Sequence, residues 1–287
     1  MAFQTISKRF AGWLAVACLV LFSACGGAGR ITYDSPQEAF GKGRALFEDG
    51  KYELAIPYFQ GVFSFGRMHA WAADAQLFLA RSYFNNADYL LAINEYQRFG
   101  QIYRTDDRVV VANFEEALSY YELSPESSLD QSQTKRAIEE FQLFIDRHPQ
   151  DSLVANAQVR ITELRTKLGE KQFMVGELYE RRGLFEAAAM QYEAVFDLYS
   201  DTPWAEPGLV SAMRSYIMFA DQSIISRQTE RLELAQRNYD RLVQIFPDSE
   251  HREEAAGYMQ QISDRLNSLQ TPSVVSTEVP ADSTQTQ

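Results

Sequence analysis

The chain has 287 residues, 46% of them hydrophobic and 23% charged, which is ordinary globular composition with enough apolar material for a core. Its formal net charge of -12 and pI near 4.8 argue against nucleic-acid binding, which uses basic patches to displace counterions, and against electrostatic docking on anionic lipid. Both cysteines, Cys18 and Cys25, fall in the first 25 residues, so the body can hold no structural disulfide, cysteine zinc site or cysteine nucleophile.

The chain opens on Lys8 and Arg9, an uncharged apolar run over residues 10–22, and then Ser23, Ala24 and Cys25. That run is short for a membrane span, which needs about 20 residues, and the layout is that of a secretory signal peptide. Residues 21–25 (LFSAC) resemble a bacterial lipobox, whose cysteine becomes the acylated first residue of the mature chain; Phe22 stands where leucine is usual. The expectation is therefore a cleaved leader over 1–24, a lipidated Cys25 and a linker over 25–34. The alternative is a plain signal peptide with a coincidental cysteine. Stable anchoring takes more than one acyl chain, and a lipoprotein cysteine carries three. Gly26 rather than Asp follows Cys25, which by resemblance to enterobacterial sorting rules points to the outer membrane.

From residue 35 to 270 apolar residues recur three and four apart among helix formers, which predicts helix after helix. The helices repeat. Gly50, Tyr52, Ala55 and Phe59 are followed by Ala87, Tyr89, Ala92 and Tyr96, and later by Gly183, Phe185, Ala188 and Tyr192. Ala137 with Phe141 and Phe144, and Ala235 with Tyr239 and Leu242, keep the second half of the pattern. A small residue permits the tight reversal, the alanine permits close helix approach, and the aromatic one turn later fills the gap between repeats. This is the tetratricopeptide signature. The key alanines are 37, 45, 51 and 47 residues apart, against about 34 in a pure array, so three intervals carry longer helices or loops. The expected fold is all-α, a right-handed α-solenoid of about five helix-turn-helix repeats over 35–270, the alternative being an ordinary helical bundle. Residues 124–131 (SPESSLDQ) are expected to be a loop inside the third repeat. Residues 152–182 are expected to form one long helix bridging two halves of the array. Residues 271–287, rich in Ser, Thr, Pro and Gln, read as a disordered tail.

Catalytic chemistry is scarce. His69, His148 and His251 stand far apart near repeat junctions, as loop or capping residues would. The stretch 43–51 is superficially like a phosphate loop but has the wrong spacing, Tyr52 in the magnesium-binding place, and no preceding strand. Adjacent acids such as Glu115-Glu116, Glu139-Glu140 and Glu253-Glu254 diverge on a helix and read as solvated faces. No metal, cofactor or catalytic residue is assigned. Tyr83, Tyr89, Tyr120 and Tyr121 are the best candidates for aromatic groups left over on a concave binding face, with core packing as the competing role.

The chain resembles the BamD family, tetratricopeptide lipoproteins of the outer-membrane β-barrel assembly machine. The resemblance is carried by residues 129–131, 137–145 with Pro149, and 179–188 (YERRGLFEAA). It implies a non-catalytic scaffold, lipid-anchored at the outer membrane and facing the periplasm. Its amino-terminal repeats would hold the carboxy-terminal segment of an unfolded outer-membrane precursor, and its carboxy-terminal repeats would dock the periplasmic domain of a β-barrel insertase. Arg182 matches a conspicuous Arg-Gly turn in the family and is the candidate partner contact; the competing role is an ion-paired surface arginine. Other readings are a periplasmic adaptor for cell-wall synthesis or division, a glycan-capturing lipoprotein, which would be longer with large loops, and an enzyme.

Overall fold

The computed structural model describes residues 31–270; the expected leader, the expected lipidation site Cys25 and the tail 271–287 lie outside them. Eleven α-helices and no strand occur among the described residues. They are α1 Pro36–Glu48, α2 Tyr52–Val62, α3 Ala72–Asn85, α4 Tyr89–Ile102, α5 Val109–Glu122, α6 Ser132–Arg147, α7 Val154–Arg181, α8 Phe185–Tyr199, α9 Ala205–Asp221, α10 Ile225–Ile245 and α11 Arg252–Gln270. The first helix starts where its chemistry allows. Ser35 Oγ accepts from the Glu38 N–H at 3.1 Å, Pro36 fills the first turn, and Glu38 reaches back to the Asp34 N–H at 2.8 Å, which satisfies amides that have no partner inside the helix.

The chain divides into two compact units, the first ending at Tyr103 and the second beginning at Arg104. In the first, α1, α2 and α3 enclose Phe40, Phe59, Val62, Ala75 and Leu79. The second holds three clusters: Phe114, Phe141, Phe144 and Leu164; Ala188, Tyr192 and Ala212; and Leu209, Met213, Leu232, Leu242 and Ile262. The long α7 was expected to bridge two halves of the array. The division lies elsewhere, and α7 belongs wholly to the second unit. Its first half packs Ala157 and Leu164 on α6, and its second half packs Phe173 and Tyr179 on α8. Twenty-eight residues thus serve two successive repeats with one helix.

All five key alanines, Ala55, Ala92, Ala137, Ala188 and Ala235, have no exposed surface. Phe59, Tyr96, Phe141 and Tyr192 are buried behind them. Opposite each aromatic lies a small residue of the first helix. A Cβ on Gly43 would stand 2.9 Å from the Phe59 ring, and one on Gly176 2.6 Å from the Tyr192 ring. Buried Ala80 stands sixteen residues before Tyr96, the spacing of Gly43 to Phe59 and of Gly176 to Tyr192, and buried Ala117 shares a core cluster with Phe141. In the pairs α1–α2 and α7–α8 the ring therefore lies directly against backbone at a glycine. The turns share one geometry: Gly50, Ala87 and Gly183 have φ of 73°, 62° and 72°. The N–H three residues beyond the helix end donates to a carbonyl five residues back in each, Lys51 to Leu46, Asp88 to Tyr83 and Leu184 to Tyr179, at 2.8 to 3.0 Å. This is the Schellman arrangement that suits a left-handed residue.

Candidate functional site

Arg182 sits at the turn between α7 and α8. Its side chain is exposed and makes no ion pair among the described residues, while its neighbour Arg181 pairs with Glu177 at 3.7 Å. Beneath the turn lies a polar knot that sequence reading missed. Glu180 accepts from Arg214 Nε and Nη2 at 2.8 and 2.9 Å, and from the Tyr192 hydroxyl at 2.8 Å. Burial alone would raise the Glu180 carboxyl, but the bonds from Arg214 and Tyr192 outweigh it and hold the group below its ordinary value. Burial and the neighbouring carboxylate push the Tyr192 hydroxyl well above its ordinary range. A bidentate pair of this kind fixes the end of α7 against α8 and α9, so the Arg182 guanidinium projects from a rigid turn. A second knot lies behind it, where Glu193 accepts from Tyr216 Oη at 2.9 Å and Asn238 Nδ2 at 2.7 Å.

Along α7, Leu178 and Met174 lie one and two turns before Arg182, both partly exposed, and they line up with it at four-residue spacing. The strip runs down to the loop 124–131, confirmed as a loop between α5 and α6. This loop is tied to α7 by Lys167 Nζ on Ser124 Oγ at 2.8 Å, Lys171 Nζ on the Ser128 carbonyl at 2.7 Å, and Ser127 on Glu170. A cavity of about 620 Å³ opens between them, walled by Pro125, Thr166, Lys167, Glu170 and Met174. The second unit therefore offers a polar cleft, an apolar strip and an unpaired cation along one helix. That combination suits a protein surface, and among the described residues no group of histidines, cysteines and acids could hold a metal ion.

Tyr83 and Tyr89 belong to the first unit and Arg182 to the second. The Tyr83 hydroxyl accepts from Gln60 Nε2 at 2.9 Å, and its ring packs on the first core; burial and the Glu95 carboxylate raise its pKa. Tyr89 stands edge-on to Phe84 with centroids 5.5 Å apart, matching the Tyr52–Phe47 pair at 5.2 Å in the preceding repeat. Both tyrosines keep part of their surface in solvent, and each also has a packing role. Tyr121 donates to Glu163 at 2.9 Å beneath Arg160, and Arg136 lies over Tyr120. The histidines sit at junctions as expected: His69 before α3, His148 after α6 and His251 before α11.

The family model described as outer membrane lipoprotein, YfiO, matches residues 33–220. Similar curated proteins are each named outer membrane protein assembly factor BamD. That of Rickettsia prowazekii is 26% identical over 179 residues, covering 62% of this chain and 71% of its own. That of Vibrio cholerae is 22% identical over 245 residues, covering 82% and 99%. Among solved structures, a TPR repeats protein from Bacteroides fragilis is 14% identical with a TM-score of 0.45, covering 82% of this chain and all of its own. The family match takes in most of the described helices, from the start of α1 nearly to the end of α9. The chain belongs to this family of outer-membrane lipoproteins, whose curated members are assembly factors.

Proposed function

We propose that this family member is a lipid-anchored tetratricopeptide scaffold of the machinery that assembles β-barrel proteins in the outer membrane. Cys25 carries the acyl chains, and the folded part faces the periplasm. No described helix is long and apolar enough to cross a membrane. The first unit, with Tyr83 and Tyr89 on the partly exposed side of its second hairpin, receives the carboxy-terminal segment of an unfolded precursor. The second unit docks a periplasmic domain of the central insertase, with Arg182 as a contact. Helical hairpins in series present extended surface suited to a peptide or a small domain.

The observation that carries this reading is the family match over residues 33–220, which takes in helices of both compact units rather than one hairpin. The physical chemistry agrees with it. The aromatic side chains that look plentiful in the sequence are spent on helix pairing, and the polar knots at Glu180 and Glu193 hold turns in place. Depletion in the native host tests the reading: many β-barrel proteins should fall together while other envelope proteins persist. Chained or unseptated cells with normal barrel levels would transfer the scaffold to wall synthesis or division.

A further inference from the structure

The first unit presents an apolar loop beside the place where its chain enters. α2 runs into a short 3-10 turn, Phe63–Phe65, then Gly66 at φ 105° and Arg67 and Met68. Met68 is 91% exposed and Phe65 44%, and Ile31 at the chain's entry is also 44% exposed. The Tyr33 ring lies 6.1 Å from that of Phe65, and its hydroxyl end stands where a Cβ on Gly61 would be. The entering segment and the loop therefore share one surface.

This loop is held rigidly with its apolar side chains outward. His69 Nδ1 accepts from the Trp71 N–H, which leaves Nε2 to donate to the Val62 carbonyl, both at 3.2 Å. Arg67 lies over the Phe63 ring at 4.2 Å and donates to Gln76 at 2.9 Å, and its own carbonyl accepts from Tyr103 Oη at 3.1 Å. Four hydrogen bonds and one cation–π contact thus fix a loop that leaves Met68 almost wholly exposed and Phe65 partly so.

Six Cα–Cα steps separate Ile31 from Cys25, a reach of at most about 20 Å. An acylated Cys25 therefore holds the bilayer within that distance of Ile31, on the segment whose Tyr33 packs against the loop. We propose that Ile31, Phe65 and Met68 form a membrane-contact patch that seats on the lipid surface and fixes how the first unit stands on it. The proposal rests on the reading of Cys25 as the anchor. The net charge of -12 gives no electrostatic attraction to anionic lipid, and the patch requires none, because its contact is apolar. Three side chains would bind lipid weakly alone; the anchor makes the encounter intramolecular, so weak contact suffices to orient the unit.

Full-length lipidated protein carrying Met68→Cys, labelled with an environment-sensitive fluorophore, tests this in phosphatidylethanolamine–phosphatidylglycerol vesicles. Leu54→Cys is the reference: it is exposed at the opposite end of α2, roughly 15 Å along the helix axis. The label at 68 should lose iodide quenching several-fold on reconstitution and gain quenching by nitroxide-bearing lipid, while the label at 54 should keep its iodide quenching. Protein that floats with the vesicles while its 68 label stays as open to iodide as the 54 label overturns the patch alone. Protein that does not float overturns the anchor reading and the patch with it. Protection at 68 that appears only when purified insertase is added would assign the loop to a protein partner and likewise overturn the proposal.

Discussion

Replacing Gly176 by alanine adds one methyl group, and two opposed effects decide its sign. In an open helix the change stabilises by about 1 kcal/mol. At 176 the new Cβ would stand 2.6 Å from two ring carbons of Tyr192. That ring cannot slide away. It has no exposed surface, lies 4.9 Å from Phe173, and is tethered through its hydroxyl to Glu180 at 2.8 Å. Overpacking a site of this kind costs about 1–3 kcal/mol, and the shortness of the contact places it near 3, for a net loss of about 2 kcal/mol. For a unit of this size that is a fall of roughly 4–8 °C in Tm, read by circular dichroism. Gly41→Ala and Gly257→Ala are matched controls: both lie inside helices, and a Cβ there meets nothing within 4 Å. Each should stabilise by up to about 1 kcal/mol. A Gly176→Ala protein as stable as the Gly41→Ala protein would refute the ring-on-backbone account of how the helices pair.

Ala87 holds φ 62° without the freedom of glycine, a conformation that costs an L-residue about 1–2 kcal/mol. Ala87→Gly should therefore stabilise the first unit by about 0.5–1 kcal/mol in urea titration, after the entropy glycine adds to the unfolded chain. Glu180→Gln removes the carboxylate between Arg214 and Tyr192. With Arg214 about a third exposed, the loss should be about 2 kcal/mol, below the 3–5 of a fully buried pair. The Glu180 carboxyl is held below its ordinary value, so its contribution is complete above the carboxylate range and disappears as pH falls through the folded-state pKa. The stability gap between wild type and Glu180→Gln should accordingly close on acidification, and a gap that widens would contradict the assignment. Arg182→Glu should leave Tm unchanged, because the side chain has no ion-pair partner among the described residues, yet weaken co-purification of the insertase. Loss of stability in that variant would mark Arg182 as structural.

The alanine, aromatic and turn positions were legible because each is a local requirement with a fixed spacing, and Ala55, Ala92, Ala137, Ala188 and Ala235 are all buried as expected. The partner position on the first helix was not legible. Gly43, Ala80, Ala117 and Gly176 share no single residue type, and the inserted loop 124–131 shifts Ala117 out of register. The fifth repeat looked half empty for a related reason. Its first helix, α9, is buried on nearly every side by α8, α10 and α11, so its apolar residues show no one-sided stripe. The division at Tyr103 leaves no composition shift to detect. The ion pairs Arg165–Asp201, Arg241–Asp197 and Arg265–Asp221 each skip a helix and tie residues 36 to 44 apart, a range at which charge patterning carries no signal. At the candidate site, Arg182 was visible through its turn and the Glu180–Arg214–Tyr192 knot beneath it was not, because its members come from three helices.

The central claim is that this chain is a scaffold for β-barrel assembly, and the direct measurement is affinity capture of the full-length tagged protein from gently solubilised envelopes. Mass spectrometry should recover, in stoichiometric amount, a large β-barrel protein bearing repeated periplasmic domains, and the Arg182→Glu variant should recover less of it. Recovery of wall-synthesis or division proteins in its place would contradict the claim.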